Sequence, residues 1–159
     1  MRTPVAPWKI AAAIVIGLSI TVTAALLSIW FIRTPLQPGV IDPLRLNSTE
    51  FRDRGLFQTG PTDYTLRIVA KEWVFDAGQR RDEPVRVVIP VGSTLTIVAT
   101  SMDTTHALGI DADTTLVITA GRITRHTQTY STPGSYPFVC TTYCGPGHPQ
   151  MTGTIVVTP

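Results

Sequence analysis

Three patterns of apolar and polar positions follow one another along the chain. From Ile10 to Ile32 no residue is charged, and Ser19, Thr21, Thr23 and Ser28 carry the hydroxyls of the run. As a helix rising 1.5 Å per residue, this run is about 34 Å long, enough for a hydrocarbon core of about 30 Å. Trp8 and the Trp30–Phe31 pair stand at its ends, where amphipathic rings favour a membrane interface, and Lys9 and Arg33 bracket it. The run is longer than the apolar region of a cleaved signal and lacks a small-residue cleavage site at its end. A tail over 1–9 and a retained membrane-spanning helix over 10–32 are therefore predicted. Arg2 and Lys9 on one side, and Arg33, Arg45 and Arg52 on the other, leave its orientation open.

Periodicity then disappears. Pro35, Pro38, Gly39, Pro43, Gly55, Gly60 and Pro61 punctuate a predicted linker over 33–62, in which Asn47-Ser48-Thr49-Glu50 would cap a short helix through Arg54 ended by Gly55. From residue 63 to 159 the pattern becomes short β-rich runs between turn residues. Strands are predicted at Tyr64–Lys71, Trp73–Phe75, Val85–Pro90, Thr94–Thr100, Leu116–Thr119, Ile123–Tyr130, Tyr136–Val139 and Gly153–Thr158. Thr94–Thr100 and Arg122–Thr127 alternate at period two, as half-buried strands do. Short strands at this spacing predict a single β-sandwich or barrel with one modest core.

Composition narrows the function classes. The chain has 159 residues and a formal net charge of +2, which leaves no nucleic-acid footprint. Charged residues make up 15%, below the usual figure of about 25%, and the apolar run accounts for the deficit. Two cysteines allow one disulfide at most, so a disulfide framework is excluded.

Both cysteines fall in Cys140-Thr-Thr-Tyr-Cys144-Gly-Pro-Gly-His148-Pro-Gln-Met151, a C-x3-C-x3-H-x2-M spacing. Thiolate, imidazole and thioether in one short stretch form a soft ligand set that favours copper over hard cations. Gly145, Pro146 and Gly147 let the chain reverse between Cys144 and His148. A further imidazole would complete the set. His106, after the strand Thr94–Thr100, is the candidate, since loops of a sandwich cluster at its ends. Other readings stay open at this point. The cysteines could pair as a disulfide or act as a redox dithiol, though a thioredoxin-like fold needs more chain after the motif. Zinc could take two Cys and two His but has little use for Met151. A blue-copper site of His106, Cys144, His148 and Met151 would leave Cys140 idle. His126, in an alternating strand among Arg122, Arg125 and Gln128, reads as a solvated strand histidine. Trp73 and Phe75, before any family argument, read as core.

These residues resemble, position by position, the CuA motif of subunit II of the haem–copper oxidases. The resemblance covers about Tyr64 to Pro159. It includes Ser101-x-Asp103-x-x-His106, Pro133-Gly134-x-Tyr136 and the ending Met151-Thr-Gly-Thr-Ile-Val-Val. It implies a mainly β, cupredoxin-like Greek-key sandwich behind one transmembrane helix. It also implies a binuclear copper centre bridged by Cys140 and Cys144, with His106 and His148 each on one copper, Met151 as a weak ligand and the backbone carbonyl of Thr142 as another. Many members carry Glu where Thr142 stands, and that Glu helps to hold an interface magnesium. The carbonyl role survives the change, and the magnesium site is placed in doubt. Many members also have two transmembrane helices, so the single helix is similar to the B-type oxidases of bacteria and archaea. The implied function is subunit II of a proton-translocating cytochrome c oxidase in a bacterial or archaeal cell membrane. Its copper domain would lie outside, taking electrons from a cytochrome c-type donor and passing them to a haem-bearing subunit I. A stand-alone membrane-anchored cupredoxin shuttle and the CuA module of a nitric oxide reductase are the alternatives. Ala70-Lys-Glu-Trp73-Val-Phe75 is similar to the segment carrying the family's donor-facing tryptophan, which makes Trp73 the candidate point of electron uptake.

Overall fold

The computed structural model describes residues 6–32, 39–80, 83–110 and 113–159. It divides into two units, Met1–Gln37 and Pro38–Pro159. In the first, helix α1 spans Pro7–Ile32. Ile14, Val15, Ile16, Leu18, Ile20, Val22 and Leu26 are all exposed on it, as on a helix that is apolar all round. Its hydroxyls bond back to the helix itself: Ser19 to the Val15 carbonyl, Thr21 to that of Leu18, Thr23 to that of Ser19 and Ser28 to that of Ala24, at 2.8–2.9 Å. The side chains of Ile10, Leu27 and residues 29–32, and with them the predicted Trp30–Phe31 flank and Arg33, lie outside the described residues. Among the described residues no helix is long and apolar enough to cross a membrane.

Among the described residues the second unit is a two-sheet sandwich of ten strands: β1 Gly55–Gln58, β2 Asp63–Lys71, β3 Val74–Asp76, β4 Val85–Pro90, β5 Ser93–Ser101, β6 His106–Gly109, β7 Thr115–Ile118, β8 Thr124–Tyr130, β9 Gly134–Cys140 and β10 Thr152–Thr158. One sheet runs β1-β2-β5-β8, with β3 also on β2; the other runs β4-β10-β9-β6-β7. The pairs β2–β5 and β4–β10 are parallel, and the rest are antiparallel. Alternation sorts the side chains. In β4, Val85, Val87 and Ile89 point inward and Arg86, Val88 and Pro90 outward. Leu66, Ile68, Leu95, Ile97, Leu108, Phe138 and Ile155 fill the space between the sheets, where Phe75 meets Phe138 edge-on with ring centroids 5.6 Å apart.

The stretch predicted as a linker is part of this fold from residue 39 onward; 33–38 lie outside the described residues. Ile41, Leu46 and Phe51 pack with Val69 and Val98 in a second cluster. Gly39–Ile41 is held by backbone hydrogen bonds from Ile41 N–H to the Gly121 carbonyl, 3.0 Å, and from Ile123 N–H to the Gly39 carbonyl, 2.8 Å. This covers the second face of β2 and β5, so both strands are buried on both sides along part of their length. The predicted short helix at Asn47–Arg54 is displaced. A 3-10 helix runs Pro43–Ser48 instead, because Asp42 accepts from Leu44 N–H at 2.9 Å and Pro43 is preset for a first turn. Thr49 closes that turn, its hydroxyl donating to the Leu46 carbonyl at 2.6 Å. Strands β1 and β6 were not predicted. Trp73, predicted inside a strand, lies before β3 in the two-residue Glu72–Trp73 turn from β2, at φ +66°.

Candidate metal centre

The end of β9 and the start of β10 bring the motif together. They are antiparallel neighbours, and Cys140 N–H donates to the Met151 carbonyl at 2.9 Å, so the first and last residues of the motif are locked side by side. The loop between them folds on itself. His148 N–H reaches the Gly145 carbonyl at 3.0 Å, and a 3-10 turn His148–Gln150 delivers Met151 N–H to the His148 carbonyl at 3.1 Å. Gly145 stands at φ +127°, a conformation open mainly to glycine. The neighbouring strand supplies the second imidazole. Thr141 N–H bonds the Ala107 carbonyl at 2.8 Å, and Leu108 pairs with Cys140, which fixes β6 and its first residue His106 beside the loop.

The ligand atoms converge. One atom each of His106, Cys140 and Cys144 lie within 4.8 Å of one another. Both cysteines are free thiols, 3.9 Å apart at sulfur. Cys144 Sγ lies 3.7 Å from His148 Nδ1 and 3.9 Å from Met151 Sδ, and Cys140 Sγ lies 3.2 Å from the Thr142 carbonyl oxygen. His106 and Met151 are fully buried, Cys140 nearly so, and Cys144 and His148 half-buried. All six residues predicted from the sequence thus meet at one end of the sandwich.

Two features fit a metal at this site. Ring nitrogen Nδ1 of His106 is buried with no hydrogen-bond partner, an expensive arrangement unless something else binds it. Nε2 of the same ring is held at 2.9 Å by Asp103 Oδ1, the carboxylate–histidine pairing that orients an imidazole for a metal. Burial opposes ionisation of Asp103, yet the hydrogen bonds from His106, Thr104 N–H, Glu72 N–H and Ser101 outweigh it and hold its pKa below the ordinary 3.8. Burial, with Cys140 beside it, pushes the Cys144 thiol up to about 11. A metal would reverse that, because a coordinated thiol is deprotonated outright.

His126 stays away from this cluster. It sits in β8 opposite Ile97, in the other sheet. The expectation of a solvated side chain is corrected, however: it is half-buried, and its Nε2 is enclosed. Alternation in β8 puts it on the face of Tyr130, which is 2% exposed. Trp73 is no core residue, being 39% exposed. Its indole lies against the glycines of the loop. A Cβ on Gly147 would fall 2.5 Å from Trp73 Cγ, and one on Gly145 2.6 Å from Trp73 Nε1. The sequence reading gave Asp103 no role; its signal was the i, i+3 spacing to His106. Tyr143, 76% exposed, sets its ring 5.8 Å from that of His148.

Comparison with known proteins agrees with this geometry. The family model described as "Cytochrome C oxidase subunit II, periplasmic domain" matches residues 61–158. The chain is 30% identical over 122 residues to a "Cytochrome c oxidase subunit 2" of Thermus thermophilus, covering 71% of this chain and 85% of that one. To a second such protein, from Thermus thermophilus strain ATCC 27634, it is again 30% identical, over 68% of that protein's length. Among solved structures, a haem–copper terminal oxidase dimer contains a chain with TM-score 0.59 and 24% identity, covering 94% of this chain and 99% of that one. The periplasmic domain of cytochrome oxidase subunit II from Bradyrhizobium japonicum gives TM-score 0.50 at 20% identity, over 59% of this chain and 83% of that one. The cupredoxin-like sandwich, the clustered thiols and imidazole and the family match lead to one conclusion: the chain belongs to the cytochrome c oxidase subunit II family, the subunits II of haem–copper terminal oxidases.

Proposed function

We propose that this chain holds a binuclear copper centre of the CuA type, takes electrons from an external cytochrome c-type donor and passes them to a haem-bearing subunit I for reduction of oxygen to water. The observation that carries the reading is the pair of free thiols 3.9 Å apart, in reach of two imidazoles, a thioether and a carbonyl. Six donors, two of them thiols, exceed the two imidazoles, one thiolate and weak axial ligand of a mononuclear blue-copper site. A mononuclear blue site would leave Cys140 unused, yet Cys140 lies in the same cluster. Cys140, Cys144, His106 and His148, with Met151 and the Thr142 carbonyl, would hold the metals. When bound, a copper pair would supply a one-electron carrier whose charge is spread over both ions.

The chain's own residues prepare that site. The Cys140–Met151 backbone bond fixes the loop ends before any metal arrives, and the enclosed His106 and Met151 keep water from one side. Trp73 is the proposed point of electron uptake. Its φ of +66° is costly for a bulky residue, and such strain persists where the surrounding structure enforces it, often at functional sites. Partly exposed above Gly145 and Gly147, the indole stands between solvent and the residues that flank those glycines, Cys144 and His148.

The family model describes a periplasmic domain, which supports an outer position for residues 61–158. The uncharged run over 10–32, some of whose side chains lie outside the described residues, would be the single membrane anchor, and its described hydroxyls bond back to the helix, as a chain in lipid must satisfy its polar groups internally. Family membership favours the oxidase over a stand-alone shuttle or a nitric oxide reductase module.

The test is purification of the full chain from its native membrane, followed by metal analysis and electron paramagnetic resonance. Two coppers per chain with a seven-line hyperfine pattern, and co-purification with a haem-bearing subunit, are expected. One copper with a four-line pattern would overturn the binuclear reading, and isolation without haem would overturn the oxidase one.

A further inference from the structure

One carboxylate joins two parts of the molecule that the chain order separates. Asp103 Oδ1 meets His106 Nε2 at 2.9 Å, and Asp103 Oδ2 accepts from Glu72 N–H at 2.5 Å. Glu72 is the first residue of the two-residue turn between β2 and β3, and Trp73 is the second. Asp103 is itself pinned. Its own N–H donates to Ser101 Oγ at 3.2 Å, and Oδ1 accepts from Thr104 N–H at 2.6 Å. The carboxylate therefore has a fixed direction, set by the short segment between β5 and β6.

We propose that Asp103 is a positioning residue that holds the histidine of the copper site and the turn carrying Trp73 in one rigid relation. The inference rests on the functional reading above. An ionised carboxylate can only accept, so Nε2 of His106 carries a proton, and in the neutral ring Nδ1 presents its lone pair. At Oδ2, the captured Glu72 N–H restrains the turn in which Trp73 takes a left-handed backbone, and it keeps the indole over Gly145 and Gly147. Distance governs electron tunnelling, so one group that fixes both the receiving ring and a metal-holding ring fixes the gap between them. Each contact alone has a local explanation. Their sharing of one side chain predicts a joint response.

The experiment uses the metal-free full-length chain in detergent, labelled with 5-fluorotryptophan and nitrogen-15 histidine. The Trp73 fluorine signal is assigned by its loss in Trp73→Phe, and the His106 ring nitrogens by substituting the other two histidines. In wild type, His106 should show a single tautomer protonated at Nε2. In Asp103→Ala that preference should be lost and the Trp73 signal should shift, with the melting transition still cooperative. Thr127→Ala, which breaks an exposed hydroxyl pair with Thr96 and touches neither carboxylate contact, should move neither signal. Should Asp103→Ala fail to fold, Asp103→Asn decides. An amide has one accepting end, so at least one of the two signals must change. A folded Asp103→Ala with an unchanged Trp73 signal would overturn the proposal, as would a His106 ring that keeps its tautomer. Both readouts are free of copper, so a chain that fails to take up two coppers would sink the functional reading alone.

Discussion

At the scale of single residues, the donors should not be equal. In the proposed centre a serine hydroxyl cannot replace a thiolate, so Cys140→Ser and Cys144→Ser should abolish the binuclear signal. Met151→Leu should retain both coppers and shift the reduction potential, because a thioether is a weak ligand. Thr142→Ala should leave the spectrum intact, since its carbonyl, 3.2 Å from Cys140 Sγ, belongs to the backbone. His126→Ala should keep full copper content, as its ring lies in the other sheet. Copper titration and paramagnetic resonance on the set check the order, and loss of metal in the His126 variant would mean a wrong ligand set. Trp73 makes a separate prediction. A core aromatic cut to Ala costs about 3–5 kcal/mol. At 39% exposure Trp73 should cost less, and Trp73→Phe should leave melting and spectrum unchanged while slowing reduction by a cytochrome donor in stopped flow.

At the scale of elements, Gly39–Phe51 behaves as a lid on the outer face of β2 and β5. Phe51 is fully buried there, so Phe51→Ala should destabilise the sandwich by about 3–5 kcal/mol in urea unfolding, whereas a linker residue would be neutral. The β2–β3 hairpin carries a second test. Burial opposes ionisation of Asp76, but its hydrogen bond with Lys71, the Gly78 N–H and the charge of Arg54 prevail and lower its pKa below 3.8. The sign follows from linkage: a carboxylate with a depressed folded pKa stabilises above its unfolded pKa, and that stability is lost as pH falls through the folded value. The urea midpoint should therefore drop as pH falls below about 4, and Asp76→Asn should flatten that part of the profile while lowering the midpoint at pH 7.

At the scale of the whole molecule, the proposed topology is one span with the copper domain outside. Protease added to sealed, right-side-out vesicles should release the copper domain from the membrane. The sandwich itself should resist, because Ile41, Leu46 and Phe51 bind the start of the unit into its fold. Cleavage only in inverted vesicles would reverse the orientation.

The sequence alone determined what periodicity and local chemistry encode. Apolar run, alternating strands and the C-x3-C-x3-H-x2-M spacing are short-range signals, and the loop's candidate ligands lie within one connection between paired strands. His106 was also legible, through its place after a strand and its resemblance to the family's first histidine. Tertiary structure decided the rest, for identifiable reasons. Strand β6 is buried on both faces, so it shows no alternation, and β1 is only four residues long. The role of Gly39–Phe51 depends on covering a face formed by strands far along the chain. The turn at Trp73 and the inward set of His126 are likewise products of register and packing. The link from His106 through Asp103 to Glu72 joins residues 31 apart at its long step, and no sequence period reports a hydrogen bond across that separation.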